Sequence, residues 1–197
     1  VKQINDETMH MLELAYENVN QAFDQLLQFS DKTDEQIYKR EDTVNYLDKV
    51  ISEYISTALA TPNLNINISQ ALSSYYLMLV DIERISDYAV NMNHQATKRL
   101  QGDMTISEIE IVEHMKKLCV DMKNDLDDVE EAERKDDVID SLVSSWREAQ
   151  IQALKQKKCS SEVSMMLSRI FTDFERINDH ALNVSQELDK ITVEIPD

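Results

Sequence analysis

DIERISDYAVN, residues 81–91, returns as DFERINDHALN at residues 173–183, with Asp, Glu, Arg, Ile, Asp, Ala and Asn in register at an offset of 92. Neither copy contains Gly or Pro, and Ile82, Ile85, Ala89 and Met92 fall at helical rather than alternating spacing. The phrase is therefore read as a helix, and its recurrence makes the chain a duplicated unit. KREDTVNYLD from Lys39 and RKDDVIDSLV from Arg134 agree at an offset of 95, so the preceding helix is duplicated too. The difference of three residues falls in the connecting loop.

Outward from these phrases the chain is helical throughout. Its 197 residues include one Gly and two Pro, while helix formers recur in segments too long for strands. A first helix is expected over about 5–29, ending at SDKTDE, and a second over about 34–59, stopped by TPNLN. Pro62 cannot continue a helical ladder, and Asn63 or Asn65 can cap a third helix over about 66–100 that closes at Gly102. Thr105 and Glu108 form a capping box for a fourth helix reaching towards Glu130, with a turn near Asp128 to Ala132. A fifth helix continues to about Lys158, and Ser160 or Ser161 caps a sixth that runs to about Lys190. The expectation is an all-α protein of two pseudo-repeated antiparallel three-helix bundles, residues 1–101 and 102–197.

The chain carries 38 acidic against 20 basic residues, a formal charge of −18. Phosphate backbones and anionic lipid would repel such a body, so nucleic acid is excluded as a partner and cations are favoured. No run of eighteen apolar residues occurs and the start lacks a signal-peptide layout, so the segment is not expected to enter a membrane and a cytoplasmic location follows. The start at Val1 rather than Met suggests excision from a longer polypeptide. Cys119 and Cys159 have no Cys or His at zinc-ligand spacing and read as core or incidental thiols.

On a helical wheel Asp81, Arg84, Tyr88 and Asn91 fall within about 80°, beside the core arc, while Glu83 points away and Asp87 lies just outside the polar group. On the preceding helix Glu41, Asn45, Asp48 and Ser52 form a similar stripe beside Val44, Leu47, Ile51 and Ile55. In the second repeat Asp136 and Asp140 lie beside Ile139, Leu142 and Trp146, and are expected to face Asp173, Arg176, His180 and Asn183. Desolvated carboxylates need compensation. Either Arg84 and Arg176 supply it as i,i+3 partners of Asp81 and Asp173, or a cation does, with oxygen ligands favouring magnesium, calcium, manganese or iron over zinc.

Nucleophilic catalysis has no support, because no Gly-rich turn or activated Cys context is present. A di-iron carboxylate enzyme needs an ExxH step on two helices, and Glu7 with His10 supplies a single one, read as a solvated helix start. Met9, Met11, Met78, Met92, Met165 and Met166 read as core filling.

An (E/D)-x-x-x-(D/N) step followed by DxERIxDxAxN, twice in six helices, resembles the PhoU family of phosphate-uptake regulators across essentially the whole chain. The resemblance implies a regulator rather than an enzyme, with acidic motifs that hold iron, zinc, manganese or magnesium. Carried onto this chain, it implies a first site of Glu41, Asn45, Asp81 and Asp87 and a second of Asp136, Asp140, Asp173 and Asp179, with Arg84 and Arg176 orienting the carboxylates. Asn45 stands where an Asp is usual, and His180 replaces Tyr88 in the second copy, so the second site is expected to be the stronger. LVDIERISDYAVNM and VISEYISTAL look closer to the cytoplasmic C-terminal domain of bacterial sodium/phosphate cotransporters. The first expectation is therefore such a domain at the inner face of the membrane, partnered by a membrane-embedded phosphate transporter part. The alternative is a free-standing regulator acting with a phosphate ABC transporter and a sensor kinase. A homodimer is compatible with either.

Overall fold

The computed structural model describes residues 1–194; the end of the second expected repeat, 195–197, lies outside the described residues. Among the described residues six long helices follow one another: α1 (Lys2–Leu27), α2 (Asp31–Leu59), α3 (Ile66–Ala96), α4 (Ile106–Asn124), α5 (Val129–Lys155) and α6 (Ser161–Glu194). A 3₁₀ turn at Gln101–Asp103 links α3 to α4, and the described residues contain no strand. None of the helices is long and apolar enough to cross a membrane.

Short polar side chains set the helix starts. Ser30 accepts from Thr33 N–H at α2, Asn65 from Asn67 N–H at α3, and Ser160 from Val163 N–H at α6. At α4 the expected capping box is complete: Glu108 N–H donates to Thr105 Oγ1 at 3.2 Å, and Thr105 N–H donates to Glu108 Oε2 at 2.7 Å.

Two ends differ from the sequence reading. α3 stops at Ala96, and the left-handed residue that reverses the chain is Arg99 (φ 53°), not Gly102. Its guanidinium lies 4.6 Å from the Phe29 ring centroid and 3.0 Å from Asp31, contacts that offset the backbone strain of a non-glycine residue there. α4 stops at Asn124, short of Glu130, because Asp128 N–H turns back to Asp125 C=O at 3.0 Å. Asp128 then caps α5 by accepting from Glu131 N–H, and Lys135 closes the turn on the Asp125 carboxylate. A run of acids hid this boundary because the same residue type serves as turn, cap and first-turn residue.

α3 and α6 lie antiparallel at the centre, α1 covers α3, α2 flanks α1 and α3, and α5 flanks α6. α4 packs on α1 and α6, so one buried apolar cluster runs through both repeats. Phe23 of α1 meets Phe174 of α6 edge to face at 6.4 Å, and Trp146 of α5 stacks on Phe171 at 6.1 Å. Met11, Met78, Met92 and Met166 fill this core, whereas Met165 is exposed. Cys119 is buried, its thiol pushed up to about 12 by desolvation, and Cys159 is half-buried against Ser164. Glu7 and His10 are exposed at the start of α1.

Candidate metal centre

Residues four apart share a helix face. Packing α2 on α3 therefore brings Glu41 and Asn45 to Asp87, with Glu83 beside Asp87 and facing Asp48, and packing α5 on α6 brings Asp136 and Asp140 against Glu175 and Asp179. The two quartets occupy equivalent positions in the repeats.

The first quartet is largely satisfied from within. The Ser86 hydroxyl donates to Glu41 Oε2, and Asp87 and Asn45 lie beside the same carboxyl. Arg84 lies 3.6 Å from Asp87 and 3.9 Å from Glu83. Burial, then repulsion from Asp87, pushes the Glu83 carboxyl up to about 7, and burial raises Glu41 and Asp48 as well. With Glu83 raised this far, a proton shared among these acids would do part of the work of a cation.

The second quartet is not satisfied in this way. Asp136, Asp140 and Asp179 each present a carboxylate oxygen, and the three oxygens lie within 4.8 Å of one another. Asp136 Oδ1 is buried and has no hydrogen-bond partner. Where the first repeat has Ser86, the second has Asn178, whose amide donates to the Phe174 carbonyl at 2.8 Å and approaches Cys119 rather than Asp136. Burial, then repulsion from Asp140 and Asp179, pushes Asp136 up to about 6. Glu175 is drawn partly away by Arg147, at 3.2 Å. Three converging carboxylates with an orphaned buried oxygen fit a hard cation.

The other expected site residues go elsewhere. Asp81 turns to the opposite flank of α3, where its Oδ1 lies 2.7 Å from His180 Nδ1 and accepts from Asn183 Nδ2 at 3.0 Å. Asp173, its counterpart, lines a cleft between α6 and α3 with Asn91, His94 and Arg169. Burial pushes its carboxyl up to about 6, with Arg169 opposing the shift. Arg84 pairs with Asp87 instead of Asp81, and Arg176 is exposed near Asp179, whose raised carboxyl it partly offsets. The structure thus places Asp81 and Asp173 at the α3–α6 interface, away from the two quartets. Glu83 and Glu175 take their places. The signal for them was present, since both repeats carry Glu four residues before an Asp on one helix.

Comparison with known proteins follows the same duplication. The PhoU domain family matches residues 8–96 and 106–188, one segment for each repeat. The chain belongs to the PhoU family. A curated relative, the phosphate-specific transport system accessory protein PhoU homolog 1 of Thermotoga maritima, is 23% identical over 94% of this chain and 84% of its own length. The crystal structure of PhoU from Pseudomonas aeruginosa superposes with a TM-score of 0.86 over 98% of this chain and 97% of that one, at 19% identity. The phosphate transport system regulatory protein PhoU of Streptococcus pneumoniae gives 0.83 over 100% and 97%, also at 19% identity. These likenesses establish the six-helix PhoU fold.

Proposed function

We propose that this PhoU-family chain is a non-enzymatic accessory regulator of a phosphate transport system, and that its α5–α6 acidic cluster holds a divalent cation. The observation that carries the reading is the Asp136–Asp140–Asp179 cluster, with its orphaned Asp136 oxygen, on a chain whose repeats both match the PhoU domain. All donors are carboxylate oxygens, which favours magnesium, manganese or iron over zinc. A bound cation would supply positive charge that relieves the repulsion among the three carboxylates. Asp136 and Asp140 would then hold α5, and Asp179 would hold α6, in one fixed relation.

The three named relatives are PhoU proteins, one of them described as a transport accessory protein. They support the accessory-regulator reading over the cotransporter-domain expectation, and the partner that follows is the membrane-embedded part of a phosphate transporter, met at the cytoplasmic face. The first quartet is the weaker cation site, because Asn45 lacks a charge and Ser86 already serves Glu41.

Complementation tests the regulatory reading: a bacterial host lacking its own PhoU protein, given this chain, should regain repression of a phosphate-starvation reporter in phosphate-rich medium. Failure of a well-expressed chain to restore repression sinks it. Elemental analysis of protein purified without a metal-affinity step tests the cation separately.

A further inference from the structure

The duplication gives the α3–α6 contact two equivalent ends, and the sequence treats them oppositely. At one end, a cleft of about 360 Å³ is lined by Asn91, His94 and Gln95 of α3 and by Ser168, Arg169 and Asp173 of α6. At the offset of 92, the counterparts of Ser168, Arg169 and Thr172 are Tyr76, Leu77 and Val80, exposed apolar residues that offer no polar atom on their chains except the Tyr76 hydroxyl. The counterpart of Asp173 is Asp81, already bonded to His180 and Asn183. One end is thus closed chemically and the other left open.

The open cleft has unspent polar groups. Gln95 is 7% exposed, yet its Oε1 has no hydrogen-bond partner. Among the described residues, neither the Asp173 carboxyl nor the Arg169 guanidinium has a hydrogen bond or a salt bridge within 4 Å. Ser168 Oγ accepts from Arg147 at 3.4 Å and keeps its own proton to donate. Gln95 is the buried member of this set; Asn91, His94, Ser168 and Arg169 are exposed and Asp173 is half-buried beside Arg169, so the cleft presents its charged and donor groups to solvent.

We propose that the cleft bounded by Asn91, His94, Arg169 and Asp173 binds a tetrahedral phosphate oxyanion that still carries a proton. Arg169 supplies the fixed positive charge and a planar fork of donors. The Asn91 amide, the Ser168 hydroxyl and the His94 ring N–H supply neutral donors to the remaining oxygens. Asp173 is an acceptor, which an unprotonated oxyanion such as sulfate cannot use and a P–O–H group can. The negative charge of the rest of the chain is screened beyond about 8 Å at physiological salt, so this short-range set decides binding. The site lies apart from the acidic quartets, and binding at it does not depend on the regulatory reading.

Isothermal titration of the chelator-treated chain with inorganic phosphate, glycerol phosphate and sulfate tests this. Phosphate should bind saturably and sulfate at least about tenfold more weakly; Arg169→Gln should weaken phosphate about tenfold or more. Asp173→Asn should narrow the gap between phosphate and sulfate, because the new amide donates where the carboxylate accepted. Glycerol phosphate binding as well as phosphate assigns the site to a monoester end, and phosphate alone assigns it to the free ion; both support the proposal. Absence of saturable phosphate binding overturns it, as does an Arg169→Gln variant that matches the parent, equal affinity for sulfate, or binding that appears only with added divalent metal. Arg169 is exposed, and unchanged far-UV circular dichroism of its variant confirms that the comparison is between folded proteins.

Discussion

His180 Nδ1 of α6 lies 2.7 Å from Asp81 Oδ1 of α3, and the His180 ring stacks on Tyr88 with centroids 5.8 Å apart. Asp81 therefore joins the two repeats across their central helix pair instead of ligating a cation beside α2. Removing its carboxylate leaves His180 and Asn183 without their shared acceptor. Asp81→Ala should lower unfolding stability by about 1–3 kcal/mol, read by urea denaturation, while the bound-metal content stays that of the parent. Equal loss of metal and stability would return Asp81 to the ligand set.

Cation binding should divide between the quartets according to charge. Asp140→Asn makes the second quartet resemble the first, and its affinity for manganese, measured by competition with a chelating dye, should fall about tenfold or more. Asn45→Asp gives the first quartet the carboxylate it lacks beside Glu41 and Asp87. Elemental analysis of that variant should find metal raised per chain relative to the parent. Unchanged content would mean that the Ser86–Glu41 bond, rather than the missing charge, keeps the first site closed.

The sequence carried the duplication, the helical class and the quartet halves on α2 and α5, because repeats and periodicity are local patterns. It did not place Asp81 and Asp173 relative to their neighbours, for a physical reason. A wheel gives the angle of a side chain about its own helix, but not which neighbour lies on each flank of the apolar arc. Asp81 and Glu83 stand on opposite flanks of Ile82 and Ile85, and both flanks are half-buried. Only the placement of α2 on one side and α6 on the other decides that Glu83 meets Asp48 and that Asp81 meets His180. Arg84 follows the same limit, since i,i+3 spacing allows Asp81 and Asp87 equally and the structure pairs it with Asp87.

Stability of the metal-free chain should fall as pH rises across the window set by its raised carboxyls. Glu83 is pushed from 4.5 to about 7 and Asp136 from 3.8 to about 6. The folded state then holds protons that the unfolded state has released, so stability is greatest near the low end of the window and declines up to about pH 7. Both groups are partly exposed, and after solvent screening each contributes about 1 kcal/mol, or roughly 2–4 °C in Tm. Asp136→Asn and Glu83→Gln should each raise Tm at pH 7.5 and leave it nearly unchanged at pH 4. A parent whose Tm rises from pH 5 to 7.5 in chelator would contradict this.

At the start of α4, Thr105 and Glu108 form one cap but do unequal work. The Thr105 hydroxyl meets only the Glu108 N–H, so Thr105→Ala should cost about 1 kcal/mol. Glu108 is 2% exposed, and besides capping Thr105 N–H it accepts from Gln150 Nε2 of α5 at 2.6 Å; the same amide reaches Ser164 of α6 at 2.8 Å. Glu108→Ala removes the side-chain half of the capping box and leaves a buried amide short of an acceptor, and should cost about 2–4 kcal/mol. In a double-mutant cycle with Gln150→Ala, the two losses should be far from additive, because both remove the same α4–α5 link. Additive losses would mean that Glu108 acts through the helix cap alone.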